Sequence, residues 1–534
     1  MSAEDDERFL RECFVETSDI VEVLDVQSTR CIALGRTGVG KSAMLWNVEK
    51  KCSNVRRIDP EALSLSYISN STILNFFEEL DVDLDIFYQL LWRHVLAIEL
   101  IDLKKEMRQG RQISLYDKIV EKFSPDPRRK QALQYILQFG DKFWVDTEKR
   151  VREVVHHLER SLEEQIGSSV EAFKLKLGTD INEKGSEALT QTTEIIDRAK
   201  KVVSGVQIQE LNKIMDFLAE DVFGDIDEKY YIIIDDLDTD WASSKVRYKL
   251  IRALIETVNK FRKISNLKIV IGLRADLLET VLQNTASSGF QTEKYEDMFL
   301  RMNWDKDELI EMADRRLNEI FKDQYQNRTI SFYDVFPLNV SKEPSFDFIL
   351  DRTLHRPRDV IAYINEVLRL MRGPTIITQK IVRDAEASYS KNRFRSLTDE
   401  WREAFGDLTE VLNALREFEV RFKLLDVTEK KLENLCVQIL AGDGQVSDGV
   451  FHRECSLIAG GSPFGLLRRR FLEVLYIIGA IGVRIRSGTP YQWSYQTEPV
   501  LNVASLDENA VFAIHPMLFR ELNRRADVST LNPS

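Results

Sequence analysis

Residues 29–42 read Thr-Arg-Cys-Ile-Ala-Leu-Gly-Arg-Thr-Gly-Val-Gly-Lys-Ser. The stretch 29–34 is a short apolar run with the character of a buried strand. Met44, Leu45 and Val48 then recur at helical spacing, so a helix is expected from about Ser42. Between them Gly35, Arg36, Thr37, Gly38, Val39, Gly40, Lys41 and Ser42 fit the pattern G-x-x-x-x-G-K-[ST] in its required context, strand before and helix after. Glycines let successive backbone N–H groups curl around an anion. The helix that follows offers an electropositive end. Lys41 can reach the outer phosphates of a nucleoside triphosphate, and Ser42 can offer its hydroxyl to Mg²⁺.

Outward from this loop, residues 5–28 show helix-like apolar recurrence. Residues 53–58 or 63–68 supply a second strand. Residues 72–104 read as buried helix. The segment from about 105 to 228 reads as a charged helical insertion, with one apolar stripe from Ile195 to Val222. Lys-Tyr-Tyr-Ile-Ile-Ile at 229–234 has no polar alternation and predicts a strand covered on both faces. Asp235 and Asp236 end it. A helix is expected over 244–264 and another buried strand over 267–273, with Arg274 at its end. Residues 297–302 read as a fifth strand.

An acidic residue at the end of a buried strand points into the crevice above a sheet. Asp235 is therefore the candidate to hold Mg²⁺ through a water, and Asp236 to polarise an attacking water. Asp236 and Asp238 also fit a plain turn or cap. Arg274 reads either as a cation for developing phosphate charge or as a salt-bridge partner of Asp276 or Glu279. Arg352, His355, Arg356 and Arg358 form a basic cluster at the start of a helix that Pro357 opens. Arg356 and Arg358 are the candidate phosphate-sensing pair, with a simple surface patch as the alternative.

After Trp304 the pattern is helical. Helices are also expected at about 407–420, 427–440 and 464–477. Residues 482–497 alternate, turn at Ser-Gly-Thr-Pro and alternate again, which predicts a hairpin. Helices followed by a hairpin point to a winged-helix-like end. Arg468, Arg469, Arg470, Arg484 and Arg486 gather there against one acid, Glu473. They could bind a phosphate backbone or serve a protein contact.

Ala33–Ser42, Tyr231–Asp240 (Tyr-Ile-Ile-Ile-Asp-Asp-Leu-Asp-Thr-Asp) and Ile271-Gly-Leu-Arg274 resemble a family of bacterial P-loop ATPases near the STAND, KAP and origin-recognition-like branches of the AAA-related NTPases. Arg315-Arg316-Leu317, His355-Arg356-Pro357-Arg358-Asp359, Tyr389-Ser-Lys-Asn-Arg393, Asp399-Glu-Trp401 and His515-Pro516 are similar to later motifs of that family. The resemblance implies a sensor role for Arg274, a helical lid that senses nucleotide through 355–359, and a place among antiviral defence systems. AAA enzymes commonly carry Asp-Glu where this chain has Asp235-Asp236, which implies slow turnover.

The bulk composition agrees with a multidomain protein. The chain has 534 residues, 43% apolar and 30% charged, with net charge −13. That balance argues against broad DNA wrapping. The five cysteines have no metal or disulfide spacing and fit a reducing cytosol. The run Val474–Val483 is too short for a bilayer span. No histidine has a metal partner at a useful spacing. The expectation is thus an α/β P-loop NTPase core over 1–303, carrying the helical insertion, then a helical lid at 304–400 and a helical, winged-helix-like domain at 401–534. Its expected cofactors are ATP and Mg²⁺, its location cytoplasmic, and its partner a protein or a second copy, with DNA as the alternative.

Overall fold

Five parallel strands carry the first half of the computed structural model. They are β1 (Ile32–Gly35), β2 (Val55–Ile58), β3 (Tyr230–Ile234), β4 (Leu267–Arg274) and β5 (Phe299–Arg301), in the order β2-β3-β4-β1-β5. Register pairs Arg57 with Ile233, Ile234 with Ile271, and Leu34 with Arg301. The structure describes residues 7–61, 84–106, 223, 228–239, 241–285, 292–322, 328–371, 376–441, 449–486, 488–496, 501–507 and 509–524. The expected helical insertion, its apolar stripe and the alternative strand at 63–68 lie outside these residues.

The described residues divide into two compact units. One comprises 18–34 and 44–301 and holds the five-stranded sheet. Every residue of β3 is buried, as expected of an apolar run without alternation. β4 is buried from Leu267 to Leu273. The helices Asp85–Glu106 and Ser244–Phe261 pack together. The Trp92 indole donates to the Leu250 carbonyl at 2.8 Å, and Arg252 pairs with Asp85 at 3.1 Å and Glu256 at 3.2 Å. The helix Ser18–Leu24 is stopped by a lysine from β4. Buried Lys268 donates to the carbonyls of Asp25 at 2.9 Å and Ser28 at 2.7 Å, and reaches that of Glu22 at 3.4 Å.

The other unit comprises 1–17, 35–43 and 302–534. Asp305 and Glu308 form a capping box that starts the helix Lys306–Phe321. The long helix Gln379–Phe405 packs on Pro357–Leu370. Two short strands, β6 (Asn339–Val340) and β7 (Glu343–Pro344), pair antiparallel. Three more, β8 (Arg421–Lys423), β9 (Ile481–Arg484) and β10 (Val511–Ile514), form an antiparallel sheet ordered β8-β10-β9. One apolar core runs from Leu309 and Phe346 through Val360, Leu397 and Trp401 to Phe471, Phe512 and Leu518. Residues 304–400 and 401–524 therefore share a core.

Two local expectations change. The helix expected over 5–28 is two helices, Glu7–Cys13 and Ser18–Leu24. Among the described residues the hairpin expected over 482–497 is seen as one bridge, Val483 with Gln492, on the edge of β9 that does not face β10.

Candidate functional site

The glycine loop leaves β1 and runs into the helix Lys41–Lys51. Its carbonyls are all engaged. The Lys41 ammonium takes those of Gly35 at 3.0 Å and Arg36 at 3.1 Å. Arg356 donates to the Thr37 carbonyl. The Arg358 N–H donates to the Gly38 carbonyl at 3.2 Å, and the Trp304 indole to that of Val39 at 2.7 Å. In a trans peptide a carbonyl and the next N–H point opposite ways. The N–H groups of Gly38 and Gly40 are therefore turned away from Arg356 and Trp304. Gly38 lies at φ 82°, and a Cβ on it would come within 2.5 Å of the Arg358 Cβ. No other residue type fits that turn without a shift. The Thr37 hydroxyl oxygen is buried without a hydrogen-bond partner among the described residues. Glycine turn, oriented N–H groups, an unsatisfied hydroxyl and a helix start together suit a phosphate chain.

The charge beside the loop favours an anion. Arg356 is 2% exposed. Its guanidinium grips Glu400 bidentately, at 3.1 and 3.0 Å, and Asp359 at 3.0 Å. Arg393 pairs with the same two carboxylates, at 3.0 Å to Asp359 and 3.3 Å to Glu400. Burial would raise the Glu400 carboxyl, but Arg356, Arg393 and Arg36 hold it down to about 2. Asp359 also accepts the Leu354 N–H at 3.2 Å, which fixes the turn before Pro357. His355 sits in that turn at φ 49°, and burial pushes its imidazole down to about 4. Arg358 is exposed at the surface, while one side of its chain lies on Gly38. Burial, and then Arg356, lower its pKa. Arg356 and Arg393 thus share Glu400 and Asp359, while Arg36 and Lys41 belong to the loop itself and Arg358 lies against it.

The carboxylates at the strand ends of the other unit have the opposite balance. Asp235 is buried at the end of β3. Its oxygen lies where β4 has no side chain: a Cβ on Gly272 would sit 2.5 Å from Asp235 Oδ1. Asp236 follows in the left-handed region, at φ 57°. Arg57, from β2, lies 3.4 Å from both aspartates. Arg274 ends β4 and grips Asp276 through two bonds, at 3.0 and 2.6 Å, and Asp238 at 2.8 Å. Asp235, Asp236, Asp238 and Asp276 thus outnumber Arg57 and Arg274 two to one, a balance that suits a cation. Among the described residues, no group of three or more His, Cys, Asp or Glu is placed to hold a metal on its own.

Several of these residues escaped the sequence reading. Arg57 gave no signal beyond an arginine in a short strand. Gly272 could have been noticed as a glycine inside an apolar strand, a mark of close approach. Glu400 and Arg393 lie in the stretches 399–401 and 389–393 and stand seven residues apart, two turns on one helix face. Of the C-terminal arginines, Arg470 pairs with Glu454 at 3.3 Å, and Arg484 lies over the Tyr491 ring at 5.0 Å. Arg468 is half-buried; Arg469 and Arg486 are exposed. No helix among the described residues is long and apolar enough to cross a membrane.

Comparison with known proteins adds three likenesses. A curated Escherichia coli (strain K12) protein, named "Putative transposon gamma-delta 80.3 kDa protein", is 20% identical over 98% of this chain. The chain spans 66% of that relative's length. A solved structure, the Walker-type ATPase PABY2304 of Pyrococcus abyssi, aligns over 97% of this chain and 95% of its own at 13% identity, with a TM-score of 0.35. Residues 307–398 match the family described as the FunZ-associated C-terminal helical domain. The segment that carries a family match is thus the helical run that supplies Arg356, Arg358 and Arg393.

Proposed function

We propose that this chain binds ATP with Mg²⁺ through residues 35–42, hydrolyses it slowly, and works as a nucleotide-dependent switch on a partner or on its own assembly. The observation that carries the reading is the glycine loop, with the carbonyls of residues 35–39 all engaged and the N–H groups of Gly38 and Gly40 turned the other way. Lys41 then leaves its own loop's carbonyls for the β- and γ-phosphates. Ser42 and, through a water, Asp235 would hold magnesium, which would supply charge neutralisation for the phosphates. Asp236 orients the water whose oxygen attacks the γ-phosphorus as the bond to the β-phosphate oxygen breaks. Arg358 is the better placed of the sensing pair, since Arg356 is committed to Glu400, Asp359 and Thr37. Arg274 already holds Asp276 and Asp238 through three of its five N–H groups. In this reading 304–400 is the lid, 401–534 the winged-helix-like domain, and the STAND/KAP-like branch with a defence role the wider setting. Titration calorimetry with Mg-ATP tests it: binding by wild type that Lys41→Ala loses is expected, and equal affinities would refute it. Light-scattering masses of the apo, ADP and ATP-analogue forms test the switch.

A second reading, a DNA-loading or DNA-remodelling ATPase, is favoured by Arg484, which lies over the Tyr491 ring, and by the exposure of Arg469 and Arg486. Salt-dependent DNA binding that is lost when Arg468–Arg470 are replaced would favour it. Nucleotide binding without phosphate release would leave a nucleotide-stabilised scaffold.

A further inference from the structure

Arg36 is the second residue of the glycine loop, yet its side chain is spent on the far end of the chain. One Nη donates to the Ile478 carbonyl at 2.9 Å; the other donates to the Ile477 carbonyl and to Ser494 Oγ at 2.8 Å. The Ser494 hydroxyl donates in turn to Ile477 at 3.2 Å. Ile477 ends the helix Gly465–Ile477. The last carbonyls of a helix lack partners within it, and that end is electronegative. A guanidinium there satisfies both needs. The chain then turns at Gly479, at φ 80°, where a Cβ would lie 3.0 Å from the Arg36 Nη, and enters β9 two residues later. The Arg36 guanidinium also lies 5.7 Å from the centre of the Trp401 ring. Burial pushes Arg36 down to about 10, against the pull of Glu400, so it stays cationic at neutral pH.

A cap alone could be supplied from anywhere. This one sits on the backbone that shapes the anion nest: the Arg36 carbonyl accepts both Lys41 Nζ and the Val39 N–H. Side chain and carbonyl belong to one residue held at both ends, so a helix end that shifts with Arg36 still bound to it pulls on that carbonyl, and with it on the peptides that lead to Gly38 and Gly40.

We propose that Arg36 is a positioning residue that couples the phosphate loop to the C-terminal helix end and β9, so that loosening the helix end lowers nucleotide affinity and bound nucleotide tightens the helix end. This rests on the nucleotide reading of the loop. Reciprocity is required, because two equilibria that share one contact shift each other by the same factor.

The experiment uses the full chain with Mg-ATP as probe. Hydrogen exchange over 474–484 is measured with and without ATP, and ATP affinity is measured for wild type, Arg36→Gln and Ser494→Ala. ATP should slow exchange over 474–484 in wild type. Ser494→Ala removes one acceptor outside the loop and should weaken ATP by about threefold to tenfold, the worth of one hydrogen bond. Arg36→Gln should weaken it further, and both should blunt the protection. If Arg36→Gln does not fold, Ser494→Ala decides alone. Unchanged affinity in Ser494→Ala, or exchange over 474–484 that ignores ATP, overturns the inference while wild-type binding keeps the nucleotide reading. Wild type that does not bind ATP overturns both.

Discussion

Each unit buries a cation against the last carbonyls of a helix, and the two cations differ in what else they hold. Lys268 stops the helix Ser18–Leu24 from the start of β4, where the ladder with β3 pairs it with Tyr231. Arg36 stops the helix Gly465–Ile477 from a glycine-rich turn with no ladder. The chemistry is the same. In the strand it can serve only the fold; in the loop it ties the fold to a site whose shape is adjustable.

The sharpest way to break this comparison is Lys268→Met. It leaves up to three carbonyls without their donor, so urea denaturation should show a loss of about 3 kcal/mol or more, while ATP affinity of the folded protein stays put. A parallel loss of affinity would erase the distinction. Lys41→Ala should weigh the other way: about a hundredfold or greater loss of ATP binding, from removing a charge held against phosphate, with a smaller loss of apo stability than Lys268→Met, since Lys41 serves two carbonyls of its own loop. Asp236→Asn should keep ATP binding and slow phosphate release by about tenfold or more, the low end for a positioned base. Unchanged release would move that role to another residue.

A pH dependence should also appear in the unit that holds the loop. His355 and Glu400 both have depressed values, so the unfolded chain binds their protons more readily and stability falls as pH falls. The His355 contribution is lost between about 6.5 and 4, and that of Glu400 between about 4.5 and 2. Denaturation midpoints taken across pH 7 to 3 should fall in two stages, and Glu400→Gln should flatten the lower one. A single-stage fall in wild type would show that the paired arginines do not depend on Glu400 as charge.

What the sequence revealed follows the reach of the physics. β3 was legible because burial on both faces leaves an unbroken apolar run. The loop was legible because its glycines, lysine and serine are neighbours in sequence. Arg356 looked like one member of a basic patch, since its partners Glu400 and Arg393 belong to another helix and no local pattern shows an ion pair. Asp235 was found from its strand, but the room it needs is made by Gly272 in the adjacent strand. Val483 pairs with Phe512 on one edge and Gln492 on the other, and the tie to β10 is a pairing that alternation within 482–497 does not encode. Arg36 was read as a ligand residue; nothing near it in sequence names Ile477 or Ser494.

The bond between Arg36 and Ile477 spans 441 residues of chain, and that separation bears on how the protein is made. Synthesis at about 5–20 residues per second puts on the order of half a minute or more between the emergence of the loop and that of its anchor. During that interval the loop's glycines, Lys41 and Ser42 exist, but Arg36 has no helix end to hold, and Thr37, Gly38 and Val39 await Arg356, Arg358 and Trp304 in their turn. A ribosome-bound or truncated chain therefore carries the full nucleotide motif without the means to shape it. On the proposed nucleotide reading, competence for ATP comes last, and an unfinished copy stays silent.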